Sequence, residues 1–294
     1  MLEAVLKKEV SMSEDTQLQN FEKLSTSQIM EMIGQEEGQT SPNTLPRLTI
    51  NRQPEDDDGN QIPVGTYAVY DSGVESMVYG KPAIFRPFLN SFQFMEYDAE
   101  QNKFSTRSVI FKNWKDEPID TSGGTRCGKV PFKERDKLSK SELEHQKNIK
   151  CYRLVYGTVS IDGVTGTGDK VKIDHKPVLW RVTGSNFTPV GEAMQSLKNR
   201  KKLMFNHTLS LDTTKRKAGS NIFYVSQIKV NEDEVKFSKE DMELMQKFQD
   251  IITAENEDVL ELWKQSNKAK NNTSDATDAK LVSDMEGNPF EESA

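Results

Sequence analysis

The sequence contains few cysteines and no long apolar run. Among its 294 residues only Cys127 and Cys151 are cysteines, which is too few for a disulfide framework and is typical of a reducing compartment. No apolar stretch approaches the roughly 18–20 residues that a membrane-spanning helix needs. The segment MLEAVLKKEVSMSEDTQ carries charges and no cleavable apolar stretch, so we expect no secretory signal. These absences predict a cytoplasmic protein, with Met1 and Met12 as alternative starts.

The charge of the chain is unevenly distributed. The net charge is −7, but it is −7 over residues 1–60, −1 over 61–110, +11 over 111–230 and −10 over 231–294. A basic block of this size attracts anions, and the acidic ends can compete for the same surface. Two interpretations remain open here: the block binds an anionic polymer, or its lysines and arginines only solvate a β-rich surface.

Short alternating runs in the middle of the chain predict strands. Runs such as SMVYG, AIFRPF, FQFMEY and FSTRSVIF follow one another with turn residues between them and no helical period. Strands resume at residues 151–161, 169–174 and 177–184. The runs LMFNHTLSL and NIFYVSQIKV predict a hairpin around the segment DTTKRKAGS. This pattern is typical of a mainly β protein rather than of repeated βαβ units.

Helical character is found in four segments, residues 17–33, 139–150, 188–202 and 238–265. In the second, Ser139 with Glu142 three residues later predicts a capping box. In the third, Thr188 is the expected N-cap, with a proline in the first turn. We therefore divide the chain into an N-terminal helix and linker, a β-rich basic core with a possible split into two subdomains near 112–150, C-terminal helices, and a disordered acidic tail: residues 1–46, 47–230, 231–267 and 268–294.

The segment TSGGTRCGKVPFKERDK, residues 121–137, resembles a phosphate-binding P-loop. It has the spacing of Gly123, four residues, Gly128 and Lys129, but Val130 stands where Ser or Thr would hold magnesium. No buried strand leads into the segment and no amphipathic helix starts at the lysine, whereas a P-loop needs both. We therefore predict no nucleotide site. The glycines instead predict a loosened basic loop whose backbone approaches phosphates.

No residue pattern favours a metal centre or a catalytic site. Cys127, His145 and Cys151 lie within 25 residues, but no close-spaced ligand pair accompanies them, so the two cysteines are only weak metal candidates. The acidic residues 55–58 are consecutive in a turn, where their side chains fan out rather than converge. No serine lies in a G-x-S-x-G context. We predict a protein that is not an enzyme and uses no cofactor.

Aromatic residues are interleaved with basic ones, as in proteins that bind single strands. Such proteins combine a positive groove with aromatic side chains on which bases stack. The segments FKNWK, KCYRLVY and LWR each place an aromatic residue beside a lysine or arginine. Trp180 has two interpretations, because its alternating strand also predicts a core position. We predict contacts to single-stranded DNA by the following residues: Lys112, Trp114, Lys115, Arg126, Lys129, Lys133, Arg135, Tyr152, Arg153, Trp180, Arg181, Lys215, Arg216 and Lys217.

Several of these segments together resemble a family of tailed-phage proteins from the DNA-replication gene neighbourhood. The resemblance spans residues 40–255 and rests on LPRLTINRQPEDDDGNQIPVG, FRPF, GGTRCGK, CYRLVYG and PVLWRVTGSNF. Some members of this family are described as single-stranded-DNA-binding proteins, and no catalytic or ligand residues carry over from it. The acidic tail is similar in style to those of single-strand binders, but Phe290 is followed by four more residues instead of ending the chain.

The resemblance implies non-sequence-specific binding of single-stranded DNA during phage DNA replication or recombination, in the cytoplasm of the infected host. The tail then either docks replication proteins or only keeps the protein in solution. This role implies an OB-like barrel, and the full expectation is an α+β fold, mainly β, with an OB-like barrel or β-sandwich body, flanking helices and a disordered acidic C-terminal tail. The alternative function is a phage structural or adaptor protein that binds no nucleic acid.

Overall fold

The structure is a computed structural model that describes residues 45–113, 116–199 and 203–286, with side chains up to residue 269. The predicted N-terminal helix at 17–33 lies outside the described residues. The fold is α+β with more strand than helix, as the sequence predicts. Its strands are β1 Arg47–Ile50, β2 Tyr67–Asp71, β3 Ser76–Gly80, β4 Ala83–Asp98, β5 Lys103–Arg107, β6 Ile149–Val164, β7 Lys170–Val182, β8 His207–Ala218 and β9 Asn221–Glu234. Its α-helices are α1 Lys140–Asn148, α2 Phe187–Asn199 and α3 Lys239–Glu286.

One mixed sheet contains all nine described strands. Its order is β3-β2-β1-β7-β6-β4-β8-β9, with β5 on the far end of β4. The pair β1–β7 is parallel and the other pairs are antiparallel. Tyr79 of β3 also pairs with Val164 of β6, so the path β1, β2, β3, β6, β7 closes on itself as a ring of five strands. The assignment of this ring to the OB type stays a prediction.

The main core lies inside the ring, because alternate residues of each strand point inward. On β6, Val155 and Val159 face this core, and Trp180 of β7 packs edge-on against Phe85 of β4, with ring centroids 5.4 Å apart. Helix α2 adds apolar side chains such as Met194 to the same cluster. The opposite face of β4 and β6 forms a second cluster.

Helix α3 covers that second cluster. Phe248 is fully buried against Phe88 and Tyr156 of the sheet, with ring centroids 6.0 and 5.7 Å away. The helix runs for 48 residues, and no glycine or proline occurs in it before Gly287, which favours an uninterrupted helix. Residues 268–286, which the sequence predicts as disordered, are therefore helical in the structure, and residues 287–294 lie outside the described part.

Several predicted local elements are present in the structure. Ser139 and Glu142 form both hydrogen bonds of the predicted capping box at the start of α1. Strands β8 and β9 form the predicted hairpin, but they continue through most of the segment expected to be its loop and leave a turn at Gly219 and Ser220. Lys215, Arg216 and Lys217 consequently lie on β8 and not in a basic loop.

Candidate nucleic-acid interface

The glycine loop, residues 120–129, is organised by one buried carboxylate. Asp120 is fully buried, and its Oδ1 accepts hydrogen bonds from the backbone amides of Ser122 and Gly124 and from the Ser122 hydroxyl, at 3.0, 3.1 and 2.6 Å. Its Oδ2 accepts from the amide of Cys127 at 2.7 Å. The loop therefore surrounds its own anion, as a phosphate loop surrounds a phosphate.

The other amides of the glycine loop are also bonded within the protein. Those of Gly123, Arg126, Gly128 and Lys129 donate to backbone carbonyls at 2.8–3.1 Å. The expectation that this backbone approaches phosphates is therefore not met by the geometry, because these amides already have protein acceptors.

Lys129 has a local partner as well. Its ammonium group donates to the carbonyl oxygens of Gln146 and Ile149 at the C-terminal end of α1, where the helix leaves carbonyls without internal partners. Partial burial, with the nearby cations Arg135 and Lys150, lowers the pKa of Lys129. Lys129 thus joins the glycine loop to α1 and is not free for an outside ligand.

Among the remaining predicted residues of this basic segment, Arg135 has an aromatic neighbour: its guanidinium carbon lies 5.7 Å from the ring centroid of the exposed Phe132. Arg126 pairs with Glu117 at 3.3 Å, and Arg135 donates to the carbonyl of Val130 at 3.2 Å. Lys112 and Lys133 are exposed. Trp114 and Lys115 lie outside the described residues.

Both cysteines are neighbours of Phe94. The thiol of Cys127 contacts the Phe94 carbonyl at 3.4 Å, and Cys151 pairs with Phe94 across β4 and β6. Burial raises the pKa of both thiols, to about 12 for Cys151. Within the described residues no group of three or more His, Cys, Asp and Glu side chains could hold a metal ion, so the structure gives the weak metal candidates Cys127 and Cys151 no further ligands.

Two predicted contact residues are instead part of the interior. Trp180 is 3% exposed and packs in the ring, so it offers no stacking face, and of its two interpretations the core position is correct. The guanidinium of Arg153 is buried between the rings of Phe92 and Phe187, 4.8 Å from each centroid. Arg153 also donates to the Asn90 side chain at 3.1 Å. Its stacking and hydrogen bonding stabilise the protein itself.

The structure does bring together two other predicted residues, Tyr152 and Arg181, with Phe104 of β5. We call these three side chains the aromatic patch. The guanidinium carbon of Arg181 lies 5.5 Å from the Phe104 ring centroid and 5.9 Å from that of Tyr152. The two rings meet edge to face at 5.9 Å. Phe104 is 38% exposed and Tyr152 is half-buried, so the patch reaches the surface on the face of the sheet that α3 partly covers.

The aromatic patch contains one cation, Arg181. In the described part of the chain no carboxylate forms an ion pair with Arg181, and its buried Nε has no hydrogen-bond acceptor. Burial, together with repulsion from Arg47, lowers the pKa of Arg181 to about 10, which leaves it charged at neutral pH. Glu255, an acid close enough to affect Arg181, is engaged by Arg107 at 2.8 Å and by Gln93 at 3.0 Å.

Two exposed cations flank the patch. Arg47 of β1 pairs with Leu179, two residues before Arg181 on β7. Lys150 lies two residues before Tyr152 on β6, and so on the same face of the sheet. Phe104, Arg47 and Lys150 are not among the residues that the sequence pattern predicts. The segment FSTRSVIF, which begins at Phe104, predicts a strand. Alternation alone does not predict which other strand pairs with this one.

The three cations on β8 lie far from the aromatic patch. Strand β8 pairs with the start of β4, at Ala83–Phe85, whereas β5 pairs with its end, at Met95–Asp98. Ten residues separate Phe85 from Met95, and at about 3.3 Å per residue this corresponds to about 33 Å. The predicted contact residues therefore form at least two separate surfaces.

Comparison with known proteins does not assign the chain to a family. No protein-family model, no curated protein and no solved structure matches the chain. None of the described helices is both long and apolar enough to span a membrane.

Proposed function

We propose that this protein binds single-stranded DNA without sequence specificity and that the aromatic patch is the binding site. The observation that carries the proposal is the position of Arg181, a charged side chain packed over two aromatic rings and not paired with a carboxylate of the described residues. Bases stack on aromatic side chains, and phosphates are attracted by cations beside them. A role in phage DNA replication or recombination, which the sequence resemblance implies, is part of this proposal.

The environment of Arg181 favours an outside anion as its partner. A half-buried guanidinium that forms no direct ion pair loses hydration without full compensation, which is unfavourable. Arg47 adds a second positive charge nearby, and its repulsion is relieved when an anion arrives. A phosphate held between Arg47 and Arg181 would restore the missing partner for both cations.

The rings of the aromatic patch provide the surface on which a base can stack. Phe104 has an exposed face and is fixed by edge contacts to Tyr97 at 5.6 Å and Tyr152 at 5.9 Å. A ring held in this way loses little conformational entropy when a base stacks on it. Each stacked base contributes about 1–3 kcal/mol and does so for every base, which accounts for binding without sequence preference.

The proposal is tested by fluorescence anisotropy with labelled oligo-dT at low and high salt. We expect binding that weakens steeply as salt rises, because phosphate contacts release counterions. Phe104→Ala should weaken binding by about 1–3 kcal/mol, which is about 5- to 150-fold. Arg181→Gln should weaken binding and also reduce the dependence of log K on log salt concentration.

The matched control is Arg52→Gln, which makes the same chemical change at an exposed arginine outside the patch. This variant should bind oligo-dT like the unmodified protein. If the unmodified protein does not bind oligo-dT at low salt, the proposed function is wrong. If it binds but Arg181→Gln and Arg52→Gln behave alike, the aromatic patch is not the site.

A further inference from the structure

The hairpin formed by β8 and β9 ends in an exposed basic segment, residues 215–222, which we call the β8–β9 arm. Every residue of the arm is exposed. Its two strands are joined by a two-residue turn in which Gly219 has a φ of 61°, a left-handed value that a tight hairpin turn requires. The base of the hairpin is held by Tyr67, whose hydroxyl contacts Ser226 at 2.9 Å. The arm is therefore a two-stranded ribbon fixed at its base and free at its end.

All charged side chains of the arm are basic. Lys215 and Lys217 lie on one face of the ribbon and Arg216 on the other, because successive side chains of a strand alternate. Within the described residues, none of these three cations forms an ion pair with a carboxylate. Asp212, the nearest acid before them in the sequence, lies 3.6 Å from Lys81. Three adjacent unpaired cations on an exposed ribbon attract a dense array of negative charge.

The arm also exposes an apolar side chain beside its cations. Ile222 is 52% exposed and pairs across the strands with Lys217, and Tyr224 pairs with Lys215. The face that carries both lysines is thus partly apolar, which suits a surface that combines phosphates with base edges.

We propose that the β8–β9 arm enters the major groove of duplex DNA and that Lys215 and Lys217 contact the phosphates beside it. Two paired strands lie about 4.8 Å apart, and the major groove of B-form DNA, about 12 Å wide, admits a two-stranded ribbon. Because the arm and the aromatic patch lie near opposite ends of β4, one DNA molecule that is part duplex and part single strand can contact both. The inference extends the proposed function to junctions between single and double strands.

The deep, narrow major groove of an RNA duplex does not admit side chains in this way. The proposal therefore commits to duplex DNA as the ligand of the arm. It also separates the roles of two sets of residues, since the arm contributes to duplex binding and the aromatic patch to single-strand binding.

The test compares four labelled probes: oligo-dT, a blunt DNA duplex, the same duplex with a single-stranded dT tail, and an RNA duplex of equal length. The unmodified protein should bind the tailed duplex more tightly than oligo-dT or the blunt duplex. Lys215→Thr/Lys217→Thr should remove the advantage of the tailed duplex and lower the slope of log K against log salt by about 1.8, since each phosphate contact contributes about 0.9. Threonine retains the strand preference of these positions.

The matched control is Lys170→Thr/Lys172→Thr, because these lysines are also exposed and two residues apart on a strand. It should leave all affinities unchanged. Equal losses in the two double variants, an unchanged affinity of the arm variant for the tailed duplex, or equally tight binding of the RNA duplex would overturn the inference. If oligo-dT is not bound but the arm variant still loses duplex binding, the proposed function fails while this inference stands.

Discussion

Arg86 of β4 and Asp241 in the first turn of α3 form a buried ion pair with two parallel hydrogen bonds, each 2.9 Å long. The Nε of Arg86 also donates to the carbonyl of Phe205 at 2.7 Å. The Asp241 carboxylate accepts in addition from the amide of Ser238, the residue just before the helix. One pair of residues therefore fixes both the start of α3 and its attachment to the sheet.

Removing one partner of this pair should strongly destabilise the protein. Asp241→Ala leaves the buried Arg86 guanidinium without its charged partner, and the expected loss is about 3–5 kcal/mol in the free energy of unfolding. Urea unfolding followed by circular dichroism measures it. The matched control is Glu243→Ala, which removes an exposed carboxylate two residues later and should cost less than about 1 kcal/mol. A loss for Asp241→Ala no larger than for this control would contradict the assigned role.

Asp120→Ala should open the glycine loop. The substitution leaves the amides of Ser122, Gly124 and Cys127 without their acceptor, and hydrogen bonds to a charged group contribute about 1.5–3 kcal/mol each. Because Cys127 is buried in the native loop, its thiol should react slowly with a thiol reagent in the unmodified protein and quickly in the variant. Ser122→Ala removes only the hydroxyl contact and should leave the thiol protected. Equal reaction rates of Cys127 in the unmodified protein and in Asp120→Ala would show that Asp120 does not hold the loop.

The buried thiols should make the protein less stable in alkali. In the unfolded chain a cysteine ionises near its ordinary pKa of 9.0, whereas burial raises the pKa of Cys151 to about 12 in the folded protein. The folded state then retains a proton that the unfolded state has released, so stability falls as the pH rises from 9 towards 12, by about 1.4 kcal/mol per pH unit for each thiol.

The measurement is the urea midpoint as a function of pH, compared between the unmodified protein and Cys151→Ala. The variant should show a shallower decline above pH 9, although its stability at neutral pH is lower. Parallel declines in the two proteins would mean that Cys151 ionises as easily in the folded state as in the unfolded one.

Trp180 should contribute to stability and not to DNA binding. Trp180→Ala leaves a cavity among Tyr67, Phe85 and their neighbours, and the expected cost is about 3–5 kcal/mol. At a temperature where the variant is still folded, its affinity for oligo-dT should equal that of the unmodified protein. A folded Trp180→Ala protein with weakened oligo-dT binding would place this residue in the interface after all.

Local patterns predicted local structure well. The capping box at Ser139 and Glu142 and the β8–β9 hairpin depend on residues near each other in the sequence, and both are present. The sequence did not predict how the basic residues are distributed. Whether Lys129 meets a helix end or a ligand, and whether Trp180 faces the core or the solvent, depends on strand pairing between distant segments, which one sequence does not specify.

The candidate site also depends on strand pairing that one sequence does not specify. Tyr152 and Arg181 were selected because each stands in a segment that mixes aromatic and basic residues. Phe104 completes the patch only because β4 pairs with both β5 and β6, which brings together residues that are far apart in the sequence. The three residues of the patch lie on three different strands, so no short sequence motif with a fixed spacing contains them.

The length of strand β4 matters for any ligand that contacts both of its ends. It is a single strand of 16 residues, paired along most of its length with β6, with one shift of register between Pro87 and Leu89. This strand holds the aromatic patch and the β8–β9 arm apart, near its opposite ends. On the proposed function, a nucleic acid that contacts both surfaces would have to bend to fit them, so its own flexibility would decide which molecules bind.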